Sequence, residues 1–303
     1  MKMDKVQVKQ KLNATSINNI LVVGIGLIGG SILKSLIANN FRGCLYGIDL
    51  NEDVTRQAHA CGLIQNADNN LQIIEEETLV VLSVPVLSLE EAINLVKESF
   101  SLQEFVITDT LSSKSKLLKF LESSPELSKR FVLSHPIAGS EKSGLGSSTS
   151  DLFKDKLAII SPRNVNLEED LEKIQNFWEQ LGSKVTLLDP EKHDLIFART
   201  SHLPHVITYA LMSFLEKDLG KNAFSYSGGS LENYTRIASS DPIMWRDIMI
   251  SNKNEVLAAI NGFKSNLENI SDLIESEDPQ TIQEFLDFVK DTRDTLMIKE
   301  DYL

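Results

Sequence analysis

Cysteine is nearly absent. Cys44 and Cys61 are the two in 303 residues. Both fall in the first αβ region without a partner pattern, which argues against a disulfide framework or a zinc site and reads as reduced thiols of a cytosolic protein. A basic excess is also missing. The formal net charge is −13, and nucleic acids and anionic membranes both require a basic face, so neither is expected as a partner. Lys2, Lys5, Lys9 and Lys11 precede no apolar stretch at signal-peptide distance. One segment, Leu12 to Leu33, is uncharged and long enough to imitate a membrane span. Its glycines and asparagines make it a buried strand–helix unit instead. Internal repeats and low-complexity tracts are lacking. The first eighteen residues read as a frayed or loosely docked extension. What remains is a chain with 42% hydrophobic residues, long enough for one large or two ordinary domains.

The most informative stretch is Asn19-Ile-Leu-Val-Val-Gly24-Ile-Gly26-Leu-Ile-Gly29-Gly30-Ser31. An apolar, β-branched run stops at a glycine cluster, and a helical pattern follows. Twenty residues beyond Gly29, a second apolar run ends in Asp49. This is the layout of a dinucleotide-binding strand–turn–helix–strand unit. Gly24 permits the tight turn, Gly26 lets a pyrophosphate approach the backbone, and Gly29 lets helix and strand pack closely. The amides near Leu27 and Ile28 are placed to bind phosphate with help from the helix dipole. Asp49 is placed to accept hydrogen bonds from a ribose. A carboxylate there repels a 2′-phosphate and Leu50-Asn51 offers no adjacent cation, so NAD is favoured over NADP.

The first half alternates strands and helices. Helices are expected over Glu52 to Cys61, Leu71 to Glu76, Ser88 to Phe100, Ser113 to Glu122 and Leu167 to Leu181. Strands are expected at Thr78–Ser83, Phe105–Asp109, Arg130–Ser134, Leu157–Ile160 and Lys184–Leu188. Continuous apolar strands separated by helices imply a parallel sheet covered on both faces. Ligands then sit outside the carboxyl ends of the strands, where Gly24–Gly29, Asp49, Ser83–Pro85, Asp109–Ser112 and His135 converge. After Asp189-Pro190 the strand signal stops. Helices are expected over about 190–219, 230–238, 242–270 and 279–297, two of them starting at Asp241-Pro242 and Asp278-Pro279. The expected fold is α/β: an N-terminal doubly wound, Rossmann-type, mostly parallel sheet with an all-helical C-terminal domain. The expected division is an extension 1–18, a dinucleotide-binding domain 19–189 and a helical domain 190–303, to which the family resemblance given below assigns substrate binding and dimerisation.

Three further segments carry chemistry. Ser134-His135-Pro136 stands at a strand end before a glycine- and serine-rich loop containing Ser140, Glu141 and Lys142. Imidazole can accept a proton at neutral pH, so His135 is a candidate base, the alternative being a histidine that only caps a strand. In Ser201-His-Leu-Pro-His205, two histidines three apart share a helix face. No HExxH pattern or third ligand accompanies them, so a metal site is not favoured over packed imidazoles. Arg236, in Tyr234-Thr-Arg236-Ile-Ala-Ser-Ser-Asp-Pro242, precedes a helix boundary where a guanidinium suits a carboxylate. Alone, such an arginine is more often a surface ion pair.

Together, Gly24-x-Gly-x-x-Gly-Gly-Ser31, Asp109-Thr-Leu-Ser-Ser-Lys114, His135-Pro-Ile-Ala-Gly-Ser-Glu-Lys-Ser-Gly144, Ser201–His205 and Thr235–Pro242 with Trp245 resemble the prephenate dehydrogenase family, whose close relatives are arogenate dehydrogenases. The likeness runs in order from about Asn19 to Ile270. It implies a cytoplasmic, homodimeric enzyme of tyrosine biosynthesis, an NAD-dependent oxidoreductase that decarboxylates prephenate to 4-hydroxyphenylpyruvate. It implies His135 as the catalytic histidine and Ser112 as the serine that orients it. It implies Arg236 as the anchor of a substrate carboxylate, with His205, Ser140, Glu141, Lys142 and Trp245 as pocket residues. Gly24, Gly26, Leu27, Ile28, Gly29, Asp49, Ser83, Pro85 and Asp109 are the expected cofactor contacts. His193 matches a histidine that is mainly structural.

Two departures stand out. Asn233 replaces an acidic residue common three before the arginine, which weakens the case for a cross-subunit salt bridge there. Thr110-Leu111 stands where Gln-Gly is common. The chain shows no chorismate mutase or regulatory segment, so tyrosine inhibition would act at the active site. Rival readings are an arogenate dehydrogenase, another two-domain hydroxyacid or imino-acid oxidoreductase (these usually use a lysine), and a non-catalytic NAD sensor.

Overall fold

The computed structural model describes residues 17–71, 78–99, 105–140 and 142–297. It forms two compact units, the division falling after Lys253.

In the first unit the chain runs through β1 (Asn19–Val23), α1 (Leu27–Ala38), β2 (Cys44–Ile48), α2 (Glu52–Ala60), β3 (Thr78–Leu82) and α3 (Leu89–Ser99). It continues through β4 (Val106–Asp109), α4 (Ser115–Glu122), α5 (Pro125–Arg130), β5 (Phe131–Pro136), β6 (Leu157–Ser161), α6 (Glu168–Gln180) and β7 (Lys184–Leu187). The seven strands form one sheet in the order β2-β1-β3-β4-β5-β6-β7. From β1 the chain steps to β2 on one side and to β3 on the other, which opens a crevice at the carboxyl ends of β1 and β3. Successive strand residues feed opposite faces. Ile20 and Val22 join a core layer with Ile32, Leu36, Phe177 and Trp178. Leu21 and Val23 join the other layer with Ala92, Val96, Leu117 and Leu127. Burial on both faces is why these strands read as unbroken apolar runs.

A helical stretch follows: α7 (Pro190–Phe197), a π-helical turn (Ala198–His202), α8 (Leu203–Leu219), α9 (Gly229–Thr235), a 3-10 turn (Arg236–Ser239) and α10 (Pro242–Ser251). Asp189 caps α7 by accepting from the amides of Glu191 and Lys192, and Asp241 caps α10 in the same way. Each cap precedes a proline that needs no partner for its nitrogen. α11 (Lys253–Glu275) continues into the second unit, which ends with α12 (Pro279–Met297).

The sheet is mostly parallel, as expected, with β6 antiparallel to β5 and His135 opposite Ile159. Other expectations change. β5 extends through His135 to Pro136, so the histidine lies within the strand rather than after it. The expected helix 190–219 is interrupted at the π turn. Pro204 has no N–H for the carbonyl four residues back, and the widened turn accommodates it. The expected helix 242–270 breaks at Asn252, whose buried side chain bonds the Asp194 carbonyl and His202. Arg130 ends a short helix begun by Pro125 instead of opening a strand. The expected helix at Leu71–Glu76 and the expected extension lie largely outside the described residues.

One buried charge ties the sheet together. Lys114 is fully buried, and its ammonium donates to Asp109 Oδ1 at 2.5 Å, Leu111 O at 2.9 Å and Ser134 O at 2.6 Å. Asp109 also accepts from the amides of Leu111 and Ser134. All three ammonium protons are therefore satisfied, as a buried cation requires. Lys114→Met would leave the Asp109 carboxylate buried and unpaired. Unfolding free energy is expected to fall by about 3–5 kcal/mol, seen as a lower denaturant midpoint. An unchanged midpoint would contradict this account.

Candidate active site

The glycine turn is built by close approach. Gly24 has φ +90°, and a Cβ there would stand 2.4 Å from Ser83 O. A Cβ on Gly29 would stand 2.0 Å from Gly24 O, so α1 lies directly against the turn. Around Gly26 there is nothing within 4 Å of the corresponding position, and no side chain caps α1. The first amides of the helix, at Leu27 and Ile28, have no acceptor within it. This bare, open backbone fits a pyrophosphate. Asp49 sits beside it, half-buried, accepting from Ile25 N at 2.8 Å and Asn51 N at 3.0 Å. Its backbone is fixed by Thr55 and Asn69. Arg56, the nearest cation along α2, is paired with Glu52 and Asp53. A dinucleotide with a free ribose 2′-hydroxyl therefore fits these residues.

Ser83 and Pro85 follow β3 at the same crevice, Ser83 half-buried and Pro85 exposed. Asp109 does not present its carboxylate there. The side chain is turned inward onto Lys114 and Ser134 N, because an unpaired carboxylate could not be buried at that depth. The cofactor contact expected at Asp109 would therefore fall to its backbone, since the carboxylate is committed to Lys114 and Ser134. Asp109 instead holds the loop that carries the half-buried Ser112.

His135 is 8% exposed. Its Nδ1 lies 2.8 Å from His193 Nε2, and Phe197 packs edge-on at 4.9 Å between ring centroids. Burial, reinforced by His193 and Lys114, holds its pKa well below the ordinary value, so the ring is neutral. His193 Nδ1 lies 2.9 Å from Asp194 Oδ1, and burial lowers the pKa of this ring too. Asp194 reaches from α7 to cap α4, accepting from the amides of Lys114 and Ser115, both at 2.8 Å, and from the Ser115 hydroxyl. Burial alone would raise its pKa. Hydrogen bonds from His193, Ser115 and the Lys114 amide outweigh that and keep the carboxylate below its usual range.

His205 stacks on the buried Trp245 with centroids 3.6 Å apart, and its Nδ1 donates to Ser201 O at 2.9 Å. His202 is buried beside the same indole, its pKa lowered by burial to about 4. The indole N–H of Trp245 and the hydroxyl of Tyr209 are buried without a hydrogen-bond partner among the described residues. Arg236 is exposed at the head of the 3-10 turn that packs on α8. Ser140 and Lys142 are exposed, with Lys142 N donating to Ser140 Oγ at 3.2 Å. Glu141 lies outside the described residues. The structure thus joins His135 to His193 and His205 to Trp245.

Residues 32–187 match the family model "Prephenate dehydrogenase, nucleotide-binding domain". Residues 189–288 match "Prephenate dehydrogenase, dimerization domain". The chain belongs to the prephenate dehydrogenase family. It is 31% identical to a cyclohexadienyl dehydrogenase of Zymomonas mobilis, covering 95% of this chain and 98% of that one. It is 29% identical to a prephenate dehydrogenase of Bacillus subtilis, over 93% of this chain and 77% of the relative. The solved prephenate dehydrogenase of A. aeolicus, in complex with hydroxyphenyl propionate and NAD+, is 38% identical with a TM-score of 0.86, covering 93% of this chain and 99% of that one.

Sequence reasoning left Lys114, Asp194 and Asn252 without roles. Lys114 stood inside the Asp109–Lys114 motif, and a lysine five residues after a strand-end aspartate is a local hint of pairing. Nothing local signals that Asp194 meets a helix start 80 residues earlier.

Two outcomes are expected. Gly26→Ala should fold with an unchanged melting temperature yet lose NAD affinity, whereas Gly29→Ala should lower the melting temperature itself. Equal melting temperatures for the two variants would refute the close-approach argument. Second, His135, His193, His202 and His205 all have pKa values lowered chiefly by burial. The unfolded chain takes up protons below about pH 6.5 while the folded chain does not. Stability should be full above that pH and fall on acidification, by about 1.4 kcal/mol per pH unit for each histidine titrating only when unfolded. For His202 the loss continues to about pH 4. Melting curves at pH 7.5 and 5.5 test the sign.

Proposed function

We propose that this chain is an NAD-dependent prephenate dehydrogenase, converting prephenate to 4-hydroxyphenylpyruvate, CO2 and NADH. The observation that carries the reading is His135: a buried, neutral imidazole at the carboxyl edge of the sheet, with one nitrogen already occupied by His193.

NAD, when bound, supplies the hydride acceptor. Gly24, Gly26, Gly29 and the amides of Leu27 and Ile28 hold its pyrophosphate, and Asp49 holds the ribose. Ser83 and Pro85 line the crevice beyond. His135 Nε2 takes the proton of the substrate hydroxyl as that carbon becomes a carbonyl. The new carbonyl weakens the bond to the ring carboxylate, CO2 leaves, and the phenolate oxygen takes the proton back. A base that is neutral at working pH is what this step needs, and such help is worth about two to four powers of ten. Ser112 orients His135 and the nicotinamide. Arg236 grips a carboxylate through its planar fork. Lys142, Ser140, Glu141, His205 and Trp245 complete the pocket.

The proposed domain boundary falls near residue 189, with residues 190–303 forming the substrate-binding and dimerisation part of a homodimer. The proposed location is cytoplasmic. No described helix is long and apolar enough to cross a membrane. Tyrosine, which shares the phenol and side-chain carboxylate of the product's skeleton, would compete at the same pocket.

The test is NADH formation at 340 nm with prephenate, repeated with arogenate and with NADP. Prephenate with NAD should give the highest kcat/KM. His135→Ala should lower kcat by about 10²–10⁴ with NAD affinity intact. Arg236→Ala should mainly raise the KM for prephenate. NAD binding without turnover of either substrate would sink the enzyme reading, and a preference for arogenate would redirect it.

A further inference from the structure

The hydrogen bonds behind His135 have a direction. Asp194 is ionised and therefore only accepts. Its Oδ1 takes the Lys114 amide and Oδ2 takes the Ser115 amide and hydroxyl. Backbone amides cannot reverse their polarity, and they sit at the start of α4, where the helix dipole also favours a negative charge. His193 Nδ1, 2.9 Å from Oδ1, must then carry a hydrogen. His193 is neutral, because burial and the nearby Lys114 ammonium both disfavour an imidazolium. With its hydrogen on Nδ1, its Nε2 is a bare lone pair. That lone pair faces His135 Nδ1 at 2.8 Å, so His135 must be the donor. A neutral imidazole with its hydrogen on Nδ1 leaves Nε2 as its one basic atom.

We propose that Asp194, acting through His193, fixes His135 in the Nδ1–H tautomer and so makes Nε2 the proton acceptor. Asp194 and His193 are positioning residues, since neither needs to touch the substrate. The claim that Nε2 is the catalytic atom rests on the dehydrogenase reading above, whereas the tautomer itself does not. The buried position of His193 and Asp194, both at most 2% exposed, keeps water from competing for these bonds. Phe197, one turn beyond His193, packs against both imidazoles at 4.9 and 4.5 Å and holds their separation. The carboxylate also matters after proton transfer. An imidazolium at His135 would donate to His193 Nε2, and the polarised His193 would donate to Asp194, so the positive charge gains a stabilising partner without a second proton moving.

Replacing Asp194 by asparagine reverses the polarity. With its oxygen in the Oδ2 place, held by the Ser115 amide and hydroxyl, its NH2 stands in the Oδ1 place before His193 Nδ1, which must then accept, and the Lys114 amide loses its acceptor. His193 would carry its hydrogen on Nε2 and donate to His135, leaving the His135 hydrogen on Nε2, the wrong nitrogen. A wrong tautomer in an otherwise intact site costs about 10⁴ in a hydrolase triad.

The experiment is a long-range ¹H–¹⁵N correlation spectrum of the full-length protein labelled at its five histidines, with His135 assigned by its loss in His135→Asn. In the wild type, His135 Nδ1 should be pyrrole-like and Nε2 pyridine-like. In Asp194→Asn the two should exchange, and kcat should fall by about 10²–10⁴ with the NAD dissociation constant unchanged. His193→Gln, which keeps an acceptor oxygen for His135, should retain the wild-type pattern and more activity than His193→Leu. The proposal is overturned if wild-type His135 is protonated on Nε2. It is equally overturned if Asp194→Asn keeps its kcat within about threefold, or loses kcat without a tautomer change. The wild-type spectrum decides the matter even if Asp194→Asn does not fold. A correct tautomer in a protein that turns over no prephenate would spare this inference and defeat the functional reading.

Discussion

The buried ammonium of Lys114 is the constraint on which the site depends. A cation sealed from water costs several kcal/mol unless every proton is bonded. Here the three acceptors come from the end of β4, the loop after it and the strand that carries His135. Satisfying the charge therefore fixes the relative position of Asp109, the Ser112 loop and Ser134. The main-chain amide of the same lysine reaches Asp194, so one residue also binds the sheet to the first helix of the helical region. The energetic demand of one charge becomes the geometric precision of several elements.

The electrostatic design follows from that anchor. Lys114 and burial together make a positive charge unwelcome nearby, which keeps His135 and His193 neutral. A neutral imidazole can serve as a base only if its lone pair is on the useful nitrogen. The start of α4 supplies the fixed donors that determine this, by way of a carboxylate and one intermediate ring. The glycine turn works on a different principle: backbone approach replaces side chains, and fixed amide dipoles replace mobile charges. A strongly acidic protein can hold a dinucleotide and a dianionic substrate because these local fields act over a few ångströms, where net charge counts for little.

The π turn at Ala198–His202 connects the two kinds of order. Pro204 cannot complete a regular α-helical ladder, and the widened turn shifts the following helix relative to a straight continuation. His202 then lies buried against Asn252 and Trp245, while His205 stacks on the same indole. Two histidines three apart thus meet the same indole in different ways, His202 edge-on and His205 stacked. The π turn and the break at Asn252 are both departures from regular helix, and both serve contacts made far away in sequence.

Most of the fold was legible in the residues themselves. Strand periodicity, the glycine spacing, the Asp-Pro helix starts and the acid twenty residues past Gly29 are local patterns, and local patterns report backbone geometry directly. The antiparallel pairing of β6, the inward-facing Asp109 and the partnership of Asp194 with α4 were decided only by tertiary structure. Each depends on residues that meet across long stretches of chain, where burial fixes which donor meets which acceptor. Composition can say that a histidine is able to act as a base, but only packing settles which of its two nitrogens holds the proton.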